Sequence, residues 1–158
     1  MKKIINYINL PNLVKQIKIQ KSKIVLVGGC FDILHLGHVR FLNEAKKYGL
    51  VLVALESDAT LTRLKGLKRP IHTQIERAEV LSNLKTVDYV IMLPEFTKDE
   101  EYVNLTNNIS PDFIAVTSGD PILIKKQTQA NQIGAQIIMV PKISTPSTSQ
   151  LAKLLHLD

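Results

Sequence analysis

Five short runs along the chain are β-branched or apolar almost throughout: Ile24–Val27, Leu50–Leu55, Tyr89–Leu93, Phe113–Val116 and Ile137–Val140. Unbroken apolar runs of this length suit strands buried on both faces. Between them lie stretches with helical spacing. Gly37–Lys47 places Val39, Phe41, Leu42 and Ala45 in that pattern and stops at Gly49, which reads as a C-terminal cap. Thr73-Gln74-Ile75-Glu76 reads as a capping box opening a helix through Leu84. Further helices are expected over Lys98–Ile109, over Pro121–Ile133 with Gly134 at its end, and over Ser147–Leu155. Strands alternating with helices predict an α/β fold: a Rossmann-like parallel sheet of five strands, with helices on both faces and right-handed crossovers. Residues 1–22 read as an N-terminal helical arm, an amphipathic stretch over Lys2–Lys21, ahead of a single domain over 23–158.

In such sheets a ligand sits beyond the carboxyl ends of the strands. The turn after the first strand holds Gly28, Gly29, Cys30, Phe31, Asp32, His35, Gly37 and His38. The paired glycines allow a ligand close to the backbone. Histidines three apart at a helix start share a face with unpaired N–H groups and the positive end of the helix dipole. That combination suits the phosphate chain of a nucleotide.

Other phosphate motifs are missing. The chain has no G-x-x-x-x-G-K-[ST], no G-x-G-x-x-G after the first strand and no G-x-S-x-G. Cys30, Asp32, His35 and His38 are each possible metal ligands, but His72 and His156 have no local partners, so no dedicated metal site is expected. Cys30 has no evident base beside it to make it a nucleophile.

Composition narrows the partners. The chain has 158 residues, 45% apolar and 22% charged, with a net charge of +6. Its lysines are scattered, aromatics are 5% and Trp is absent, which argues against a nucleic-acid partner and for small anionic substrates. A single cysteine excludes an intrachain disulfide and points to a reducing compartment. Asn6, Asn9 and Pro11 interrupt the apolar N-terminal stretch, and no run reaches membrane-span length. A cytoplasmic protein without a membrane partner is the expectation.

The segment Gly29-Cys30-Phe31-Asp32-Ile33-Leu34-His35-Leu36-Gly37-His38 matches G-x-F-D-x-x-H-x-G-H, and so resembles the cytidylyltransferase-like nucleotidyltransferases. The likeness continues through Glu56–Ala59, Arg63–Gly66, Arg69–Ile71, Glu76–Ala78, Val87–Val90, Ser118–Asp120 and Ser147–Ser149. Over that span it is similar to the adenylyltransferase half of the bacterial heptose-phosphate kinase/adenylyltransferases. The resemblance implies a nucleotidyltransferase fold and transfer of AMP from ATP to a phosphorylated small-molecule acceptor. Mg²⁺ would accompany the triphosphate.

By the same resemblance His35, His38 and Lys65 are catalytic, with Lys65 arriving from the loop after the second helix. Gly29, Cys30, Phe31, Asp32, Gly37, Gly119, Asp120, Ser147 and Thr148 would bind the nucleotide, Ser147 and Thr148 at its β- and γ-phosphates. Asp32 is also read as orienting the turn. Asp58 and Arg77 would contact substrate, Arg77 alternatively serving a structural ion pair. Read without the resemblance, Ser147 and Thr148 are good N-caps. Leu84–Glu95 is similar to a part of the family that packs against a second subunit, so a homodimer is implied.

The chain departs from the heptose pattern at two places. Those enzymes have Lys-Gly-Gly-Asp where this chain has Thr117-Ser118-Gly119-Asp120, so a cation is missing at Thr117, and the basic or amide position after their Ser-Thr-Thr is the uncharged Gln150 here. Two rivals stay open: a CTP-dependent enzyme acting on glycerol 3-phosphate or a similar phospho-alcohol, and a nucleotide-binding module without turnover.

Overall fold

The sheet has six parallel strands, one more than the sequence predicts: β1 Ile4–Asn6, β2 Ile24–Gly29, β3 Leu50–Leu55, β4 Tyr89–Met92, β5 Phe113–Thr117 and β6 Gln136–Val140. They lie in the order β1-β4-β3-β2-β5-β6. This is a computed structural model, and it describes residues 3–156; residues 1, 2, 157 and 158, which fall within the expected arm and domain boundaries, lie outside the described part. The helices are α1 Leu10–Ile19, α2 Leu36–Lys46, α3 Asp58–Lys65, α4 Gln74–Ser82, α5 Asp99–Ile109, α6 Leu123–Ile133 and α7 Thr148–Leu154.

The extra strand comes from the expected helical arm. Ile4 pairs with Val90 and Asn6 with Met92, so the arm starts as an edge strand, and Asn6 then caps a single 3-10 turn ahead of α1. Lys3 ties the strand down by donating to the carbonyls of Leu84 (3.2 Å) and Val87 (2.9 Å). Leu10, Leu13, Val14 and Ile17 of α1 are buried in the core. A three-residue strand is too short to show a two-residue period, whereas the four apolar positions of α1 do show a helical one.

The sequence also left α3 unassigned. Its N-cap is Ser57, whose hydroxyl accepts from the Thr60 N–H, and only Thr60 and Leu61 are buried. With so small an apolar stripe the helix is invisible to periodicity. Gly49 is a second correction. Lys47 caps α2, and a Cβ at Gly49 would lie 2.5 Å from the Lys23 carbonyl oxygen. Gly49 is there for close backbone approach, not for a left-handed cap.

Alternate residues of each strand feed two cores, as the pleat requires. On one face Ile24, Leu26, Leu52, Ala54, Ile91 and Ile114 meet α1, α5 and α6. On the other Val25, Val27, Val51, Val53, Val90 and Ala115 meet α2 and α4. The chain leaves β2 toward β3 and β4, then returns to β5 on the opposite side of β2. The carboxyl ends of β2 and β5 are therefore the point where strand order reverses, the place where such sheets open a crevice. Residues 84–95 contribute the β4 strand, and Val87, Val90 and Ile91 are fully buried within the chain itself. No helix among the described residues is long and apolar enough to cross a membrane.

Candidate active site

A cavity of about 490 Å³ opens at that reversal. Its floor is the end of β2 and the turn beyond it, and its sides are the starts of α2 and α6 and the 140–147 segment. Gly28, Gly29, Cys30, Phe31, His35, Gly37, His38, Lys65, Gly119, Asp120 and Ser147 line it, so most of the expected contact residues share one space.

The two histidines are fixed by a reciprocal cap at the start of α2. His35 is the N-cap, and its Nδ1 accepts from the Gly37 N–H at 3.1 Å. The Nδ1 of His38 accepts from the His35 N–H at 3.4 Å. Each ring has thus spent its Nδ1 lone pair, which leaves the proton on Nε2. The rings lie 3.9 Å apart between centroids, and His38 also rests against Phe31 at 5.1 Å. Gly37 makes this packing possible: a Cβ there would meet the His35 ring at 2.7 Å. At Gly29 the space of a missing Cβ is taken by the Phe31 ring, 2.8 Å away, so that glycine accommodates Phe31, and of the pair only Gly28 faces open space.

Burial, and then the neighbouring His35, push the His38 imidazole down to about 4 from its ordinary 6.5; burial also lowers His35. Both rings are therefore neutral Nε2–H donors at physiological pH. A folded value below the ordinary one means that neutral His38 favours the native state above pH 6.5, and this contribution is lost as the pH falls toward about 4. We expect the unfolding free energy to decline across that window in urea titrations, and the decline to shrink in His38→Asn. Nitrogen NMR of the wild type should show both rings as Nε2–H tautomers at pH 7.

Charge on the walls is one-sided. Arg40, Lys65, Lys126 and Lys142 line the cavity against a single carboxylate, Asp120. Asp120 accepts from Lys126 at 2.8 Å, with side-chain exposures of 14% and 19%, and it also caps the turn by accepting from the Ile122 N–H. Lys65 is the last residue of α3, not a residue of a free loop, and it is exposed. Arg40, Lys126 and Lys142 were not singled out from sequence. Lys126 was in principle findable, six positions after Asp120 and one turn into the expected helix.

Four expected contacts are turned elsewhere. The Asp32 carboxylate, 1% exposed, is paired with Arg69 and accepts from the N–H groups of Ile71 (2.9 Å) and His72 (3.3 Å). It pins the 69–72 segment to the signature turn, which agrees with an orienting role and leaves no oxygen for a nucleotide. Arg77 is 2% exposed and donates to the carbonyls of His72, Cys30 and Glu56 and to Asp58. Asp58 and Arg77 therefore form the structural pair, outside the cavity lining. Thr148 donates to the Ile33 carbonyl at 3.0 Å, tying α7 to the signature turn. Ser147 does line the cavity, while its hydroxyl accepts from the Gln150 N–H as an N-cap.

Cys30 lines the cavity, and burial, followed by the nearby Glu56 carboxylate, raises the pKa of its thiol. A raised value keeps it a thiol and unsuited to nucleophilic work. Among the described residues no group of three or more His, Cys, Asp and Glu side chains could hold a metal ion.

A family model described as cytidylyltransferase-like matches residues 26–145. The bifunctional protein HldE of Wolinella succinogenes is 39% identical over 146 residues, covering 92% of this chain and 29% of that protein. HldE of Geobacter metallireducens is 37% identical over 152 residues, covering 94% of this chain and 30% of that protein. The chain thus spans about three tenths of the length of the curated relatives it matches. Among solved structures, the lipopolysaccharide core biosynthesis protein from Thermoplasma volcanium superposes with a TM-score of 0.62 at 27% identity, over 78% of this chain and 98% of that one. The pantoate-beta-alanine ligase of Francisella tularensis, at 17% identity, shares the fold with a TM-score of 0.64 over 92% of this chain and 69% of that one.

Proposed function

This chain belongs to the cytidylyltransferase-like family, and we propose that it transfers a nucleoside monophosphate from a triphosphate to a phosphorylated acceptor, releasing pyrophosphate. AMP from ATP is the favoured donor group, and a sugar phosphate such as heptose 1-phosphate the favoured acceptor. The observation that carries the reading is the pair of neutral Nε2–H donors at the start of α2, in a cavity with four cationic side chains and one carboxylate. The chain's likeness to the heptose-phosphate adenylyltransferases supports the choice of substrates.

An oxygen of the acceptor phosphate attacks the α-phosphorus. A new P–O bond forms there as the bond to the bridging oxygen breaks and pyrophosphate leaves. The attacking oxygen is already anionic, so no general base is needed. What the protein must do is hold two anions together and stabilise charge on the phosphoryl oxygens. Fixed N–H donors that require no reorganisation do this well. His35 and His38 supply them, while Lys65 and Arg40 balance the phosphate charge. Mg²⁺ neutralises charge on the triphosphate when bound. Asp120 is the single carboxylate on the cavity wall and is already paired with Lys126, a donor set that suits an ion carried by phosphate oxygens and water rather than a protein cage.

The test is pyrophosphate release from each of the four triphosphates with Mg²⁺ against a panel of sugar and polyol phosphates. Release with ATP and a sugar phosphate is the expected result. Turnover with CTP alone would replace the adenylyl reading by the cytidylyl one. Nucleotide binding with no pyrophosphate from any pair would leave only a binding module.

A further inference from the structure

One partly buried carboxylate beside the cavity has no role in the scheme above. Glu56 follows the last residue of β3, and its N–H donates to the Gly29 carbonyl at 3.2 Å, so it adjoins the signature turn directly. Its carboxylate makes no ion pair among the described residues, although two arginines are close. Arg77 takes only the Glu56 backbone carbonyl, at 2.9 Å. Arg63 is spent on Glu95 (2.7 Å) and the Phe96 carbonyl (2.6 Å). The partner of the carboxylate among the described residues is a hydroxyl: Tyr102 of α5 donates to Oε2 at 3.1 Å. Tyr102 is in turn held edge-on by Phe96 at 5.1 Å, and Phe96 edge-on by Tyr7 at 5.6 Å.

Keeping a carboxylate partly out of water without a cation is unfavourable. Burial accordingly pushes the Glu56 carboxyl above its ordinary range, with Tyr102 opposing. Among the described residues no side chain or backbone group donates to Oε1. An aromatic stack that runs back to the 3-10 turn after β1 holds the group in place beside the reaction floor.

We propose that Glu56, positioned by Tyr102, reads hydroxyl groups of the phosphorylated acceptor, which makes it a specificity-determining residue for sugar and polyol phosphates. This rests on the nucleotidyl-transfer reading of the adjoining cavity, whose lining residue Gly29 accepts the Glu56 N–H. It also orients the acceptor. An ionised carboxylate accepts hydroxyl donors and repels a second anion. The acceptor's phosphate therefore lies toward Lys65 and the histidines, and its hydroxyl-bearing end toward β3 and α5. A site built to hydrogen-bond a substrate hydroxyl discriminates strongly against an analogue that lacks it, because its own polar group is then left unpaired.

The experiment is a set of binding titrations with heptose 1-phosphate, glycerol 3-phosphate and ethyl phosphate, with Mg²⁺ and α,β-methylene-ATP present. The wild type should bind at least one hydroxylated phosphate about tenfold or more tighter than ethyl phosphate. Glu56→Gln, which keeps shape and a Tyr102 partner, should lose most of that preference, and Glu56→Ala all of it. Affinity for α,β-methylene-ATP should stay within about twofold in both variants, which a merely structural defect would not allow. Tyr102→Phe should move the preference in the same direction by less. A wild type without the preference, or a preference that survives in Glu56→Ala, overturns the assignment. Repeating the titrations without nucleotide tests Glu56 separately. Failure of α,β-methylene-ATP to bind the wild type would overturn the nucleotidyl-transfer reading, while the hydroxyl preference would still stand or fall on Glu56.

Discussion

Changing His38 to alanine is expected to slow pyrophosphate release by about a hundredfold to a thousandfold, the usual cost of removing one preorganised donor from a phosphoryl or acyl transition state. The chemistry predicts a loss concentrated in turnover. A neutral Nε2–H binds ground-state triphosphate only modestly, whereas charge builds on the phosphoryl oxygens as the α-phosphorus is attacked. Nucleotide affinity should therefore fall far less than kcat. The truncation also removes the acceptor for the His35 N–H, so His35 loses part of its orientation, and the double variant should be little worse than either single one. Single-turnover rates with saturating triphosphate and acceptor, set against thermal unfolding of each variant, make the comparison. A variant that turns over at the wild-type rate would remove the imidazole pair from the transition state.

Arg77→Ala should be the most damaging change to the fold. The guanidinium is 2% exposed and gathers three backbone carbonyls, those of His72, Cys30 and Glu56, together with Asp58. These belong to the signature turn, the end of β3 and the approach to α4, so one side chain ties the signature turn to two neighbouring segments. Its loss strands buried acceptors and should cost about 3–5 kcal/mol, a large part of the total stability of an ordinary domain. Asp58, with a side chain 44% exposed, can return to water once Arg77 is gone, so the cost falls on the stranded carbonyls. Arg77→Lys should recover only part, because a single ammonium cannot serve a fork of carbonyls. Urea unfolding read by two probes decides it. An Arg77→Ala protein within about 1 kcal/mol of wild type would mean that neighbouring groups re-pair without it.

Much of this architecture was legible in the residues themselves. The five expected strands announced themselves as unbroken apolar runs, though β6 is a sheet edge with Met139 46% exposed and not buried on both faces, and Thr73 with Glu76 does form the expected capping box. The signature turn could be located because glycines and histidines cluster at the end of the first run. What stayed hidden depended on partners far away in the chain. A carboxylate at position 32 reads the same whether it faces a phosphate or Arg69, and only the fold brings that arginine to it. The same holds for Thr148, whose hydroxyl is taken by the Ile33 carbonyl. Ile4–Asn6 carries no period of its own, and α3 has too few apolar positions to register. Lys126 was hidden for another reason: its value lies in facing the Asp120 carboxylate across a turn, a geometry that spacing only suggests.

The edge strand has a consequence for how the molecule is made. Ile4 pairs with Val90, and Asn6 with Met92, so once β1 is made it has no partner in the sheet until residues 90–92 have followed. At ordinary elongation rates that interval is roughly 4–17 s. Through it the buried face of α1 must wait as well, since α5, against which it packs, is made later still. Contacts of such long sequence separation form late and slow the folding rate. Folding should therefore be most exposed to misassembly between the emergence of α1 and that of α5, and stalled chains ending near residue 88 should recruit chaperones more strongly than those that already include α5.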